Sequence, residues 1–277
     1  MAQKHALPPA STRVSCTAPR FAVVAGAALS EKGQFSIGGA CAWRLAESGY
    51  HVAVADRDLA SAKRLADALN DQGWTARAFQ VDLTKEKQLA SFAKKLQTWC
   101  GSSGLLAAVN AVGIFHERRG ILQTPPDVFR QMLEVNTTGA YLFTRALEPL
   151  LAAGACLVQI GSVNGKSAGA GLGAYKVSKA ALEMLTRCLA LEFAQNERRI
   201  RVNGIGPGWV DTPGERQVFA KEGRLKDLDD PQTARFIPLG RRTLSSEVAD
   251  AVAFLCSDRA SAITGQILYV DCGITAR

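Results

Sequence analysis

The sequence predicts an α/β chain of doubly wound design: three layers, with a mostly parallel seven-stranded sheet between two sets of helices. Three observations predict it. Short apolar runs and amphipathic stretches alternate at nearly regular spacing from Arg20 onward. The apolar runs are continuous and lack the alternation of a half-exposed strand, as in parallel strands covered on both faces. The composition, 47% apolar and 21% charged with 25 glycines, suits a chain of small side chains packed in layers.

The elements follow in order. FAVVAG is a first buried strand ending in glycine, and helical periodicity then runs from Ser36 through Ala40, Trp43, Leu45 and Ala46 to a stop at Gly49. HVAVADRD is a second strand ending at Asp56, followed by a helix over 59–69 that stops at Gly73. WTARAFQVD predicts a third strand ending at Asp82, with Thr84 capping a helix over 85–99. LLAAVNAVG is a fourth strand, 129–151 a long helix, ACLVQIGS a fifth strand, 174–195 another helix and IRVNGIGPG a sixth strand. A helix over 247–256 and the strand QILYVDCG complete the alternation. With no linker inside it, 20–277 reads as a single domain. The charged, weakly periodic stretch 211–243 reads as a substrate flap of short helices beyond the C-terminal strand ends, where such sheets bind ligands.

Charge and cysteine usage narrow the function classes. The formal charge is +8, but the 33 Lys and Arg residues are scattered and not interleaved with aromatics, which argues against a nucleic-acid groove. Seven cysteines with no CxxC pair, most of them in apolar runs, predict reduced core thiols and a cytoplasmic protein. Three histidines, His5, His51 and His116, form no metal-ligand spacing, so no metal site is expected. No apolar run reaches the length of a membrane span. Residues 1–19, with Pro8, Pro9 and Pro19 and no hydrophobic core segment, read as a disordered tail.

The chemistry concentrates in SVNGKSAGAGLGAYKVSK. Tyr175 and Lys179 are four apart and share one helix face, so a fixed cation can favour the phenolate of an otherwise poor base. Ser162, at a strand end upstream, can bring a hydroxyl beside that phenol. Hydroxyl, phenol and lysine in one cleft suit polarising or deprotonating a C–O group. Taken singly, each has an ordinary reading: a snorkelling surface pair, a turn hydroxyl.

A cofactor crevice is predicted at the strand ends. Glycine after the first strand lets backbone approach a pyrophosphate at a helix N-terminus, and here the loop is GAALSEKGQFSIGG, with Gly26, Ser36 and Ile37 as the contact residues. Asp56 can accept both ribose hydroxyls of an adenosine and repel a 2′-phosphate, or it can cap the next helix, a role open to Asp58 too. Arg57 beside it can compensate a phosphate. Asp82 is a cap or an acceptor for adenine, with Leu83 next to it, and Asn110 and Ala111 are small enough to lie over the adenosine.

These motifs resemble the classical short-chain dehydrogenase/reductase family over nearly everything after the tail: NAVG at 110–113, Asn136 in VNTTG, Ser162, YKVSK with Tyr175 and Lys179, PGWVDTP after Asn203, PLGR at 238–241 and ITGQILYVDCG. The resemblance implies a Rossmann-type fold and hydride transfer with a nicotinamide cofactor. It implies Tyr175 as general acid or base, Ser162 steadying the substrate oxygen, Lys179 lowering the tyrosine pKa and holding the nicotinamide ribose, and Asn136 holding a water in a proton relay. It implies Pro207, Gly208, Val210 and Thr212 at the nicotinamide end, and a homotetramer, or a dimer, built on the helices over 129–151 and 174–195. The cofactor it implies with Asp56 is NAD, with NADP the less favoured form. The first loop departs from the family's TGxxxGIG: Ala25 replaces threonine, Ser36 the middle glycine, and Gly26 to Gly38 is six residues longer. Lys32 in the insertion reaches a phosphate or lies in a solvated loop.

For the substrate, Ser162, Asn164, Tyr175 and Trp209 are the expected contacts, with Trp209 an apolar wall or flap packing. Gly169, Ala170, Gly171 and Gly173 are expected to leave room for a bulky ring. No arginine falls where it would grip a carboxylate, which favours an uncharged secondary alcohol, cyclic diol or ketone. The expectation is an NAD-dependent oxidoreductase interconverting such an alcohol and its ketone. The alternatives are a dinucleotide-binding scaffold without turnover and a divergent enoyl reductase, whose active-site spacing differs from YKVSK.

Overall fold

A computed structural model describes residues 18–116, 118–195 and 197–276. The tail reading falls on 1–17 for all but two of its residues, and that part lies outside the described residues, as do His5 and Cys16.

The described residues form one seven-stranded sheet in the order β3-β2-β1-β4-β5-β6-β7. Every pairing is parallel. In chain order the strands and helices are β1 (Arg20–Ala25), α1 (Ile37–Glu47), β2 (Tyr50–Asp56), α2 (Leu59–Asp71), β3 (Ala76–Gln80), α3 (Glu86–Cys100), β4 (Leu105–Asn110), α4 (Pro126–Leu133) and α5 (Gly139–Leu147). They continue with β5 (Leu151–Ile160), α6 (Val163–Lys166), α7 (Gly173–Ala194), β6 (Arg201–Pro207), α8 (Pro213–Lys221), α9 (Leu225–Asp229), α10 (Ser245–Leu255) and β7 (Ile267–Val270). Because all strands run one way, all their C-terminal ends share one edge. The order reverses between β1 and β4, and a doubly wound sheet opens its ligand crevice at such a point.

Two apolar clusters explain the three layers. On one face Val24, Val52 and Val109 pack under α1, α2 and α10 through Leu45, Leu65 and Val252. On the other, Val23, Ala108 and Leu157 pack under α3, α5 and α7 through Phe92, Phe143 and Ala190. Val23 and Val24 are fully buried on opposite faces, as expected where both sides of a strand are covered.

Three element readings are corrected. Thr84 does not cap α3: the N-cap is Lys85, with no side-chain bond, and Thr84 donates to Asp82 through both backbone N–H and hydroxyl. The third strand stops at Gln80, so Asp82 stands in the turn beyond it. The helix expected over 129–151 is broken by a π turn at Glu134–Thr138, and Leu151 already belongs to β5. Composition hides this break because the π turn is held by tertiary bonds from Asn136 and Thr137, and not by local propensity. Stretch 211–243 holds α8, α9 and a 3-10 segment, Pro231–Phe236.

The inserted loop is ordered by its aromatics. Leu29 and Phe35 form an antiparallel bridge, Phe35 meets Trp43 at 5.4 Å, and Trp43 meets Trp74 at 5.1 Å, both edge to face. This ladder ties the loop to α1. Lys32 lies exposed in its turn.

Candidate functional site

The dinucleotide half of the edge is built by close backbone approach. Gly26 has φ 75°, a left-handed conformation that disfavours side chains, and a Cβ there would stand 2.8 Å from the Ala111 carbonyl carbon. A Cβ on Gly38 would stand 2.3 Å from the Gly26 carbonyl oxygen. Ser36 takes over the missing glycine's place by knitting the loop. Its hydroxyl donates to the Gly26 carbonyl at 3.1 Å and accepts from Ala28 N–H at 3.0 Å and Gly39 N–H at 2.9 Å. Ile37 opens α1 directly after it.

Asp58 caps α2 by accepting from Ala60 N–H at 3.0 Å, which leaves Asp56 out of the capping role. One Asp56 oxygen accepts from Asp58 N–H at 2.9 Å, and burial raises its carboxyl above the ordinary range. Arg57 follows at the strand end, and its carbonyl accepts from Gln80. Asp82 is committed to Thr84, whose bonds outweigh desolvation and lower its pKa. Leu83 is buried below it. Asn110 is a strand bridge: its amide donates to Gln159 at 2.8 Å and its oxygen accepts from Val112 N–H at 3.1 Å. Ala111 N–H donates to the Ala25 carbonyl at 2.8 Å, pinning β4 to β1 at the switch point. This crevice fits a nicotinamide dinucleotide: the first turn is clear of side chains, and Asp56 has a second oxygen to offer.

The reaction half is built from desolvated side chains. Ser162 follows β5 and caps α6, accepting from Asn164 N–H at 3.1 Å. It lines the same cleft as Tyr175, and its hydroxyl favours the phenolate. Burial outweighs that effect and raises the phenol's pKa, and the Glu215 carboxylate pushes it the same way. Lys179 is 3% exposed, and burial lowers its ammonium to about 8. Its Nζ donates to the Ile160 carbonyl at 2.8 Å and stands 5.8 Å from the Tyr175 ring centroid. A Cβ at Gly113 would stand 3.1 Å from that Nζ, so the ammonium lies under the loop after β4. In the chain by itself, desolvation drives both groups toward their neutral forms.

Asn136 is fully buried in the π turn. Its amide oxygen accepts from Ile114 N–H at 2.8 Å, and its Nδ2 donates to the Ile114 carbonyl and to Ser178, both at 2.9 Å. The side chain thus clamps the loop after β4 to the helix that carries Tyr175.

A cleft of about 240 Å³ lies beside these groups, lined by Ser162, Asn164, Tyr175 and Trp209. Pro207 ends β6, Gly208 passes so close to Asp271 that a Cβ would stand 2.7 Å from its Cα, Val210 bridges to Thr243, and Thr212 caps α8. Trp209 meets Phe219 at 6.1 Å and forms a side-chain hydrogen bond with Glu215. Two expectations change here. Arg118 lines the cleft, so an arginine does stand in this wall. Gly173 leaves no room for substrate, because a Cβ there would meet Ile121 at 2.8 Å; its smallness serves packing. Leu172 and, from the stretch 211–243, Glu215 also line the cleft. Glu215 sits three residues after Thr212, where a capping-box glutamate belongs. Its side chain turns instead to Trp209 and Arg242.

Among the described residues no helix is long and apolar enough to cross a membrane, and no cluster of three metal-ligating side chains occurs.

Comparison with known proteins agrees with this architecture. The family model described as enoyl-(acyl carrier protein) reductase matches residues 32–275. The chain is 36% identical over 261 residues to a cis-4-hydroxycyclohexanecarboxylate dehydrogenase of Sinomonas cyclohexanicum, covering 94% of this chain and 98% of that protein. It is 34% identical to a human 3-oxoacyl-[acyl-carrier-protein] reductase over 87% of this chain and 94% of the relative. The crystal structure of gox2181 superposes with a TM-score of 0.82 at 27% identity, covering 94% of this chain and 97% of that one. The parallel sheet with its switch point, Ser162 and Tyr175 on one cleft with Lys179 buried behind them, and these likenesses together make the chain an oxidoreductase of the classical short-chain dehydrogenase/reductase family, which uses nicotinamide dinucleotide cofactors.

Proposed function

We propose that the protein is an NAD-dependent oxidoreductase that interconverts a secondary alcohol, a cyclic alcohol or diol above all, and its ketone. The observation that carries the reading is Ser162 and Tyr175 facing one cleft, with Lys179 on the Tyr175 helix. A bound nicotinamide supplies the acceptor for the hydride that leaves the alcohol carbon. Tyr175 takes the proton from the alcohol oxygen as the C=O bond forms, and Ser162 donates to that oxygen. Lys179, buried and held at the Ile160 carbonyl, is poised to pass the proton onward, since its own pKa is lowered to about 8. Asn136 fixes the loop above it. In the reverse direction Tyr175 returns the proton to the ketone oxygen.

Asp56 supports NAD over NADP, because an uncapped carboxylate at the end of β2 accepts ribose hydroxyls and repels a 2′-phosphate. The ring alcohol named in the Sinomonas relative supports a cyclic substrate. Stretch 211–243 acts as a flap, a reading supported by Glu215, Val218 and Phe219 on the cleft wall. Tyr141, Val177, Met184 and Leu191, exposed along α5 and α7, support assembly as a homotetramer. A scaffold without turnover and an enoyl reductase are less favoured, since neither needs Ser162 and Tyr175 together on one cleft. Secondary alcohols screened with NAD, following reduced-cofactor absorbance, test the reading: oxidation of ring alcohols supports it. NAD binding with no turnover across the panel supports the scaffold instead.

A further inference from the structure

We infer that Glu215 is a specificity-determining residue that accepts a hydrogen bond from a second hydroxyl of the substrate, so that the favoured substrate is a diol with its reacting hydroxyl at Tyr175 and Ser162. This deepens the proposed function and rests on it.

The argument starts from the cost of placing a carboxylate in that wall. The Glu215 side chain is 13% exposed, and a buried carboxylate is normally matched by a well-aligned arginine. Two arginines stand close, yet Asp211 takes their good bonds. Arg216 grips Asp211 through two bonds of 2.7 Å, and Arg242 donates to Asp211 at 3.1 Å but comes only to 3.5 Å from Glu215. The Thr212 hydroxyl is directed at the Glu215 backbone, accepting from its N–H at 3.2 Å. The other described partner is Trp209. A carboxylate offers about four acceptor positions, so acceptor capacity remains on a group that lines the cleft.

Its place in the cleft sets the ligand chemistry. Glu215 and Tyr175 line the same cleft of about 240 Å³, so a ligand bonded to Glu215 shares that space with the reacting oxygen. A carboxylate there would be repelled by Glu215. An ammonium would face Arg118 in the same cleft and Arg242 behind Glu215. A neutral hydroxyl donor meets neither penalty. Burial also raises the Glu215 carboxyl to about 7, which makes diol preference depend on pH. The titratable or charged groups facing it are Arg242, Asp211, Arg216 and Tyr175, with His116, Arg118 and Glu222 across the cleft.

The test compares cyclohexanol, trans-1,2-cyclohexanediol and 4-hydroxycyclohexanecarboxylate with wild type, Glu215→Gln and Glu215→Ala. We expect wild-type kcat/KM to favour the diol over cyclohexanol by about tenfold, the effect of one hydrogen bond to a charged acceptor. The preference should grow as pH rises through 7, and both variants should lose it. A diol preference that survives in both variants, or a wild-type preference for the carboxylate that neither variant alters, overturns the inference. With NADH bound and no turnover possible, calorimetric binding of the diol is an independent readout. An approximately tenfold weaker Kd in both variants supports the inference, and an unchanged Kd overturns it. Should wild type oxidise no alcohol, the proposed function fails while this binding comparison still decides the role of Glu215.

Discussion

The two halves of the crevice use opposite means to make a site. Toward β1, β2 and β3 the polar side chains are mostly spent on the protein itself: Ser36 knits its loop, Asp82 holds Thr84, and Asn110 bridges two strands. What faces a ligand there is bare backbone, opened by Gly26 and Gly38. Toward β5 and β6 titratable side chains take over, each shifted toward neutrality by burial: Tyr175 and Glu215 on the cleft wall, and Lys179 buried under the loop after β4. The lesson is one of division of labour. A phosphate-rich ligand is held by fixed dipoles that cost nothing to reorganise, whereas proton transfer needs groups whose charge is cheap to change.

This contrast can be broken from either side, and the largest effect is expected in the reaction half. Tyr175→Phe should lower kcat by roughly a thousandfold while leaving the NAD dissociation constant within a factor of a few. Single-turnover rates beside a cofactor titration check it, and retained turnover would sink the acid-base role. In the dinucleotide half, Gly38→Ala should harm binding and folding together. Its Cβ would press on the Gly26 carbonyl, at a cost of about 1–3 kcal/mol seen in denaturant unfolding. An unperturbed unfolding midpoint would show that the loop gives way.

A milder change concerns cofactor choice. NAD should bind at least tenfold tighter than NADP, a gap of ~1.4 kcal/mol, and Asp56→Ala should narrow it. Equal affinities in the wild-type chain would remove Asp56 from that role. The smallest effect is on stability against pH. The folded pKa of Glu215 is raised from 4.5 to about 7, so the native state binds more protons than the unfolded one between those values. Stability from this group is therefore full below about 4.5 and is lost as pH rises through 7. Glu215→Gln should flatten that decline, a difference of about 2–4 °C in Tm between pH 5 and pH 8. Lys179 has the opposite sign. Its pKa falls from 10.5 to about 8 on folding, so its burial costs stability below 8 and that cost fades as pH climbs toward 10.5.

Legibility followed the same division. The strands were readable because continuous apolar runs such as FAVVA and HVAVA leave few other fates for a chain. The parallel order followed from their alternation with helices. The π turn was not readable, because Asn136 and Thr137 hold it through bonds to Ile114 and Ser178, far along the chain. Thr84 was misread as a cap because a threonine before a helix fits two roles, and only the nearby Asp82 decides between them. Asp56 and Asp58 posed the same ambiguity, which the Ala60 bond resolves. That Arg118 and Glu215 share one wall was not readable, because it joins segments about a hundred residues apart.

The sequence by itself determined the layer pattern, the face shared by Tyr175 and Lys179, and the glycines that bare the first turn, since each follows from local periodicity or local sterics. Tertiary structure alone decided how strongly Tyr175, Lys179 and Glu215 are desolvated, which carboxylate caps and which one faces the crevice, and what lines the cleft. The physical reason is range. Periodicity and backbone sterics act over a few residues, whereas desolvation and charge are set by whichever distant segments the fold brings against a group.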